Sequence, residues 1–248
     1  MMRFDVTVLN FDGTYHDQPH LLQNKHRWID LSDLTQTNMY CPQETLAEIA
    51  KRMDLENQSC LTFIGSGNYH YVTYLFLQNM KEPCDLVLFD HHPDTGRPYP
   101  LLSCGSWVSK ALSQLPLLQR VVIIGLHPKY STFIPPQYFN RVRVVSTANL
   151  FKSSEAKILQ WIKTDKVYIS IDKDVLDPAF AATNWDQGNM SLSSLLEMLE
   201  TISRYKQILG IDVCGELPYN PLGDMAYTQA VRKNERANQA IMDIASSF

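Results

Sequence analysis

Asp85-Leu86-Val87-Leu88-Phe89-Asp90-His91-His92-Pro93-Asp94 decides how the rest of this 248-residue chain is read. Its first half is an apolar run without polar alternation, the pattern of a strand buried on both faces. Its second half is dense in metal-ligand side chains. The same design recurs where Val167-Tyr168-Ile169 runs into Ser170-Ile171-Asp172-Lys173-Asp174. Side chains on extended backbone alternate direction, so Asp90, His92 and Asp94 are expected to share one, as are Asp172 and Asp174. His91 has the opposite parity and reads as a packed or supporting residue. Four carboxylates and an imidazole at the ends of two buried strands would repel one another unless positive charge sat among them. A pair of divalent cations satisfies that need. Mixed carboxylate and imidazole ligands suit Mn²⁺, and bridging carboxylates let two ions sit about 3.5–4 Å apart.

Composition narrows the setting. The net charge of −4 is mild and the basic residues are scattered, which argues against a nucleic-acid footprint. No apolar run approaches the roughly eighteen residues of a membrane span. The chain opens on Phe4-Asp5-Val6-Thr7-Val8-Leu9, a strand pattern rather than a signal segment. Five cysteines with no Cys-x-x-Cys pair fit reduced thiols, so a cytoplasmic location is expected. There is no linker-like stretch, and residues 1–248 are read as a single domain.

Val-, Ile- and Phe-rich runs predict strands near 4–10, 60–64, 85–90, 120–126, 141–146, 167–172 and 207–213. Helix-like stretches fall near 42–53, 69–80, 105–115, 153–163, 191–204 and 224–246, with starts marked by Ser153-Ser154-Glu155 and by Ser191. Strands separated by helices predict an α/β fold, three layers α/β/α, with a mostly parallel sheet. Ligands in such sheets bind beyond the carboxyl ends of the strands, where both acidic motifs lie. His16, His20 and His26 have no metal-site spacing and read as surface residues. His127, in Gly125-Leu126-His127-Pro128, follows a strand end and is a candidate for the cleft. Lys173 sits among buried positions and is expected to pair with an acidic side chain on the other face of the sheet.

A third element completes the set. Gly65-Ser66-Gly67-Asn68 follows the strand Leu61-Thr62-Phe63-Ile64 and leads to His70 at the head of a helix-like run. Together with Asp90-His91-His92-Pro93-Asp94 and Ser170-Ile171-Asp172-Lys173-Asp174-Val175-Leu176-Asp177-Pro178, in this order, the chain resembles the arginase–agmatinase–formiminoglutamase family of manganese ureohydrolases. The resemblance runs from about residue 60 to the end and implies the arginase–deacetylase fold. It implies two Mn²⁺ per chain, one held by His70, Asp90, Asp94 and Asp172 and the other by Asp90, His92, Asp172 and Asp174. Asp90 and Asp172 would bridge. The implied activity is hydrolysis of a linear amidine or guanidino C–N bond in a small molecule, with His92 and Asp174 as catalytic residues. An amidine carbon is a poor electrophile, which is why two cations are needed to make water nucleophilic; Asp174 would relay the proton to the leaving amine. Homo-oligomers are expected from the resemblance alone.

The chain departs from the family pattern at four places. Cys104 falls where a shuttle His is usual, which argues against plain arginase activity. Glu216 lies one residue later than the substrate-binding Glu of relatives, a displacement that reverses its face unless Gly215 allows a bulge. The loop Ala182-Thr183-Asn184-Trp185-Asp186-Gln187-Gly188-Asn189-Met190 replaces the usual pocket loop, with Trp185 expected as a wall and Asp186 as a substrate contact. Asn68-Tyr69 stands where relatives carry Gly-Asp. Two alternatives stay open: an amide hydrolase of the same fold using Tyr219 as a donor, and a catalytically silent metal-binding relative.

Overall fold

In the computed structural model, which describes residues 5–97, 100–149 and 155–248, the chain runs through ten strands and seven α-helices. In chain order these are β1 (Val6–Asn10), α1 (Pro19–Leu22), β2 (Arg27–Asp30), β3 (Tyr40–Cys41), α2 (Gln43–Met53), β4 (Leu61–Ser66), α3 (Thr73–Gln78), β5 (Cys84–Phe89) and β6 (Leu102–Ser103). They continue with α4 (Trp107–Gln114), β7 (Leu118–Leu126), β8 (Val142–Ser146), α5 (Glu155–Trp161), β9 (Lys166–Asp172), α6 (Leu192–Tyr205), β10 (Gln207–Glu216) and α7 (Met225–Ala245). Eight strands form one sheet in the order β2-β1-β4-β10-β9-β5-β7-β8. Every neighbouring pair in it is parallel. β3 and β6 form a small antiparallel ribbon beside it.

The two faces of the sheet carry separate cores, which accounts for the unbroken apolar strands. Leu86 and Leu88 of β5, with Val121 and Ile123 of β7, pack under α2, α3 and α4. Val87 and Phe89, with Val122 and Ile124, pack against α1, α5, α6 and α7. Both side-chain sets of a central strand are therefore buried, so neither can be polar. α6 and α7 start on side-chain caps: Ser191 Oγ accepts from Ser194 N at 3.1 Å, and Asp224 Oδ1 accepts from Tyr227 N at 2.9 Å. Among the described residues no helix is long and apolar enough to cross a membrane.

The three-layer architecture agrees with the expectation, and several local elements differ from it. The helix expected over 69–80 opens as a 3-10 turn, Gly67–Val72, and only then becomes α3. β2 was not expected; it is a four-residue edge strand with one buried position, too short to register as a run. Phe4, Ser153 and Ser154 lie outside the described residues.

β4, β10, β9 and β5 are adjacent at the centre of the sheet. In sequence, β9 and β10 come last, yet they insert between β4 and β5. Three motifs far apart in the chain are thereby set side by side at one edge, the carboxyl one.

Candidate metal centre

Each motif leaves its strand through a turn that its own side chains build. At the end of β4, Ser66 Oγ accepts from Asn68 N, starting the 3-10 turn that carries His70 into the interior. After β5, Asp90 N still donates to Ile124 O at 3.1 Å, and the chain then bends as Asp90 Oδ1 accepts from His92 N at 2.6 Å. Asp94 completes the bend with φ 50°, a left-handed conformation that Asp adopts more readily than most residues. At the end of β9, Asp172 Oδ1 accepts from Asp174 N at 3.0 Å, and Lys173–Val175 form a 3-10 turn. The Asp90 and Asp172 turns are Asx turns, in which a carboxylate bonds backbone two residues on, and Ser66 makes the hydroxyl equivalent. The expected strand alternation holds as far as Asp172; beyond the strand ends the convergence comes from turns instead.

The six expected ligands meet. His70 Nδ1 lies 3.1 Å from Asp94 Oδ2, 3.5 Å from Asp90 Oδ2 and 3.5 Å from Asp172 Oδ2. His92 Nδ1 lies 2.7 Å from Asp174 Oδ2 and 3.7 Å from Asp90 Oδ1. His70, Asp90 and Asp94 form one group able to hold an ion, and Asp90, His92 and Asp174 form another. Asp90 belongs to both, one oxygen toward each imidazole. A third group joins His70, Asp172 and Cys214, whose thiol donates to Asp172 Oδ2 at 3.3 Å.

The electrostatics fit a pair of bound cations. Burial, and then the charges of Asp174 and Asp94, push the Asp90 carboxyl well above the usual range. Burial and Asp172 push Asp174 up to about 7. Burial alone would lower the imidazoles, yet the hydrogen bond and charge of Asp94 hold His70 at about 10, and those of Asp174 raise His92 further. Asp90 Oδ2 is buried without a hydrogen-bond donor, a state that costs on the order of 1–3 kcal/mol or more for a charged group. Lone protons are poor substitutes for a divalent ion here. The donor set, one imidazole plus carboxylates per position with a shared Asp90, suits hard to borderline divalent cations.

Supporting contacts fix the ligands. His70 Nε2 lies 2.9 Å from Ser170 Oγ, and Ser170 Oγ donates to Asp212 Oδ1 at 2.7 Å. Trp107 Nε1 donates to Asp94 Oδ2 at 2.6 Å. His92 Nε2 lies 2.9 Å from Asp186 Oδ1, the carboxylate–histidine pairing that sets a metal-binding tautomer. Gly67 is required by close approach: a Cβ there would stand 2.9 Å from Asp172 Oδ2 and 3.2 Å from Trp185 Cδ1.

The ligands floor a cleft of about 350 Å³, walled by Trp185, Asp186, Tyr130, Phe133, Pro93 and Cys104. Trp185 and Asp186 are in the cleft as expected. Asn68 Oδ1 accepts from Trp185 Nε1 at 3.0 Å and so braces the wall. Asp186 is engaged more heavily than foreseen, with Oδ2 accepting from Tyr130 Oη at 2.7 Å and Lys129 Nζ at 3.2 Å. Cys104 faces the cleft, and burial pushes its thiol up to about 12.

Three expected residues are elsewhere. The bulge at Gly215 exists, with φ 89° and a shifted register against β4, yet it does not turn Glu216 into the cleft. Glu216 is buried behind the ligands, ion-paired to Lys173 and bonded to Gln18 Nε2 at 2.9 Å; among the described residues it is the carboxylate that pairs with the buried Lys173 ammonium. Lys173 thus pairs as expected, with the residue expected on substrate. His127 packs behind Tyr130, ring centroids 5.8 Å apart, with Nδ1 accepting from Lys129 N; it does not line the cleft. Tyr219 borders a separate cavity near α7 rather than this one. Tyr130 and Phe133 were missed. They belong to the 3-10 turn Pro128–Phe133 that follows β7, so the loop was identified but the wrong residue chosen from it.

The sequence matches the Arginase family over residues 6–233. An uncharacterized protein of Thermotoga maritima is 33% identical over 211 residues, 85% of this chain and 79% of that one. Formimidoylglutamase from Bacillus subtilis superposes with a TM-score of 0.72 at 14% identity, covering 99% of this chain and 88% of its own. Agmatine ureohydrolase of Thermoplasma volcanium gives 0.68 at 19% identity, with 98% and 89% covered. At those identities the two solved structures establish the shared fold. The family match spans the sheet from β1 to β10 and every residue of the ligand cluster: the chain belongs to the arginase family.

Proposed function

We propose that the protein is a binuclear manganese hydrolase that cleaves a linear amidine or guanidino C–N bond in a small molecule. The observation that supports this best is Asp90, buried and shared between two imidazole-bearing ligand groups. One ion would be held by His70, Asp90 and Asp94, with Asp172 beside them, and the other by Asp90, His92 and Asp174; Asp172 would serve both, as in the family pattern. Agmatine ureohydrolase and formimidoylglutamase, by their names, act on such compounds, which favours the same bond here.

Two divalent cations would supply the charge that makes water nucleophilic near neutral pH. The chain's own groups do the rest. Asp174 Oδ1 is fixed by His91 N at 3.0 Å, and Oδ2, 2.7 Å from His92 Nδ1, is the oxygen that would hold the proton taken from water and pass it to the leaving amine. His92, with Nε2 bonded to Asp186, keeps Nδ1 aimed into the ligand cluster. Asp186, accepting from His92, Tyr130 and Lys129, holds the cleft wall and the His92 ring in place, and Trp185 closes the wall over the reacting group. Neither Glu216 nor His127 takes part.

A second reading, a metal-binding relative without turnover, is favoured by Cys104 alone. A thiol held at about 12 does not exchange protons near neutral pH as an imidazole would. The test is metal content by elemental analysis, together with urea, ammonia or formamide release from a panel of guanidino and formimino compounds. Two Mn²⁺ per chain and release from a panel member support the hydrolase; two Mn²⁺ with no release support the silent relative; one ion per chain sinks both. A cytoplasmic homo-oligomer is proposed from the family and from the reduced cysteines, with sedimentation as the check on assembly.

A further inference from the structure

We propose that the non-reacting part of the substrate is an apolar, preferably aromatic, group rather than an amino-acid or other charged tail. This rests on the hydrolase reading of the same site. Beyond the ligands, the cleft continues between Tyr130, Phe133 and Trp185. Phe133 is 61% exposed at the end of its turn, so its ring stands open beside the cleft. A cleft of about 350 Å³ with its charged groups gathered at one end and mostly apolar surface beyond them is an ordinary form of a site for a small organic ligand. Aromatic walls reward a flat apolar partner by burial and by ring-ring contact.

Charge points the same way. A carboxylate tail needs a free cation, and among the described lining residues there is no Lys or Arg. Lys129, whose ammonium reaches the cleft wall, is already bonded to Asp186 at 3.2 Å and lies over the Tyr130 ring at 4.5 Å. An ammonium tail needs a free carboxylate, and Asp186 already accepts from His92, Tyr130 and Lys129. The other lining carboxylates belong to the ligand cluster. One end of the cleft is thus built for an amidine and the other for hydrocarbon.

The test uses the full-length chain saturated with Mn²⁺ and three monosubstituted guanidines: 2-phenylethylguanidine, agmatine and 4-guanidinobutanoate. Calorimetry reads Kd where a compound is not cleaved and KM where it is. The phenyl compound is expected to bind at least about tenfold more tightly than either charged one, roughly the effect of burying part of one ring. Phe133→Ser should cut that preference about fivefold or more with no change in melting temperature, since the residue is exposed. Equal or tighter binding of a charged tail, equal loss for all three compounds in Phe133→Ser, or no binding by any of them overturns the proposal. The two readings separate cleanly. Preferential phenyl binding without product release refutes the hydrolase but not the apolar tail, whereas release from the charged compounds alone does the reverse.

Discussion

Lys173 donates its ammonium to Glu216 inside the protein, with both side chains withdrawn from solvent. Asn238 joins them, its Oδ1 accepting from Lys173 Nζ at 2.9 Å and its Nδ2 donating to Glu216 Oε1 at 2.6 Å. The cluster ties the turn after β9 to the end of β10 and to α7. A buried pair of this kind is close to neutral as a whole, because the two desolvation costs offset the attraction, but removing one partner strands a charge. Lys173→Met is therefore expected to destabilise the protein by about 3–5 kcal/mol. Lys173→Met combined with Glu216→Leu should recover much of that loss. Urea unfolding of the two variants checks both, and a single variant as stable as the parent would contradict the account.

The metal-free chain should lose stability as pH rises. Above the ordinary carboxylate value of 3.8, folded Asp174 keeps a proton up to about pH 7 that the unfolded chain has released. His70 does the same between 6.5 and about 10. In both windows the native state binds more protons, so stability falls with pH. His70 contributes fully below 6.5 and is lost as pH passes about 10. The chelator-treated protein is expected to melt lower at about pH 8.5 than at about pH 5.5. Divalent cations bind the deprotonated ligands, so added Mn²⁺ should raise the melting temperature more at the higher pH. Scanning calorimetry with and without metal reads both trends.

Ser170→Ala removes the partner of His70 Nε2 while leaving every ligand in place. Such support is typically worth ten- to a hundredfold in metal affinity. Competition with a chromophoric chelator should show one site weakened by that factor and the other less affected, because the group of Asp90, His92 and Asp174 does not include His70.

Asp174→Asn keeps the shape of the side chain but cannot carry a proton between water and the leaving group. Turnover should fall by roughly 10²–10⁴, the usual contribution of a positioned general base. Measuring bound Mn²⁺ in the same variant separates lost proton transfer from a lost ligand.

Asp186→Asn keeps the shape of the cleft wall but removes the negative charge beside His92 Nε2 and turns one of its two acceptor positions into a donor. A drop in kcat of about ten- to a hundredfold is expected. Unchanged turnover of a genuine substrate would remove Asp186 from the site.

Much of the fold was legible because β5, β7 and β9 are covered on both faces. Their residues cannot alternate in polarity, and unbroken Val/Ile/Leu runs are visible without knowledge of the partners. The clustering of the candidate ligands was legible for a related reason: Asp90, His92, Asp94, Asp172 and Asp174 follow those runs directly, and strand ends place side chains well. Glu216 was not, since its direction depends on which cation it meets, and Lys173 reaches it only once β9 and β10 lie side by side. Tyr130 and Phe133 were hidden because a 3-10 turn sets their direction and no periodic pattern marks it. β2 was lost to its position at the sheet edge, where a single buried residue, Ile29, is all the apolar signal there is.

Trp107 opens α4 with its indole against two ligands at once, bonded to Asp94 and 4.9 Å from the His70 ring. Val108 N also donates to Asp94 O at 3.1 Å, so the first turn of α4 hangs from the same residue. An ion loaded at the proposed position would therefore change the field on a solvent-shielded fluorophore and the footing of a helix together. Its occupancy would then be readable from the emission of a single tryptophan once Trp28, Trp161 and Trp185 have been replaced by phenylalanine.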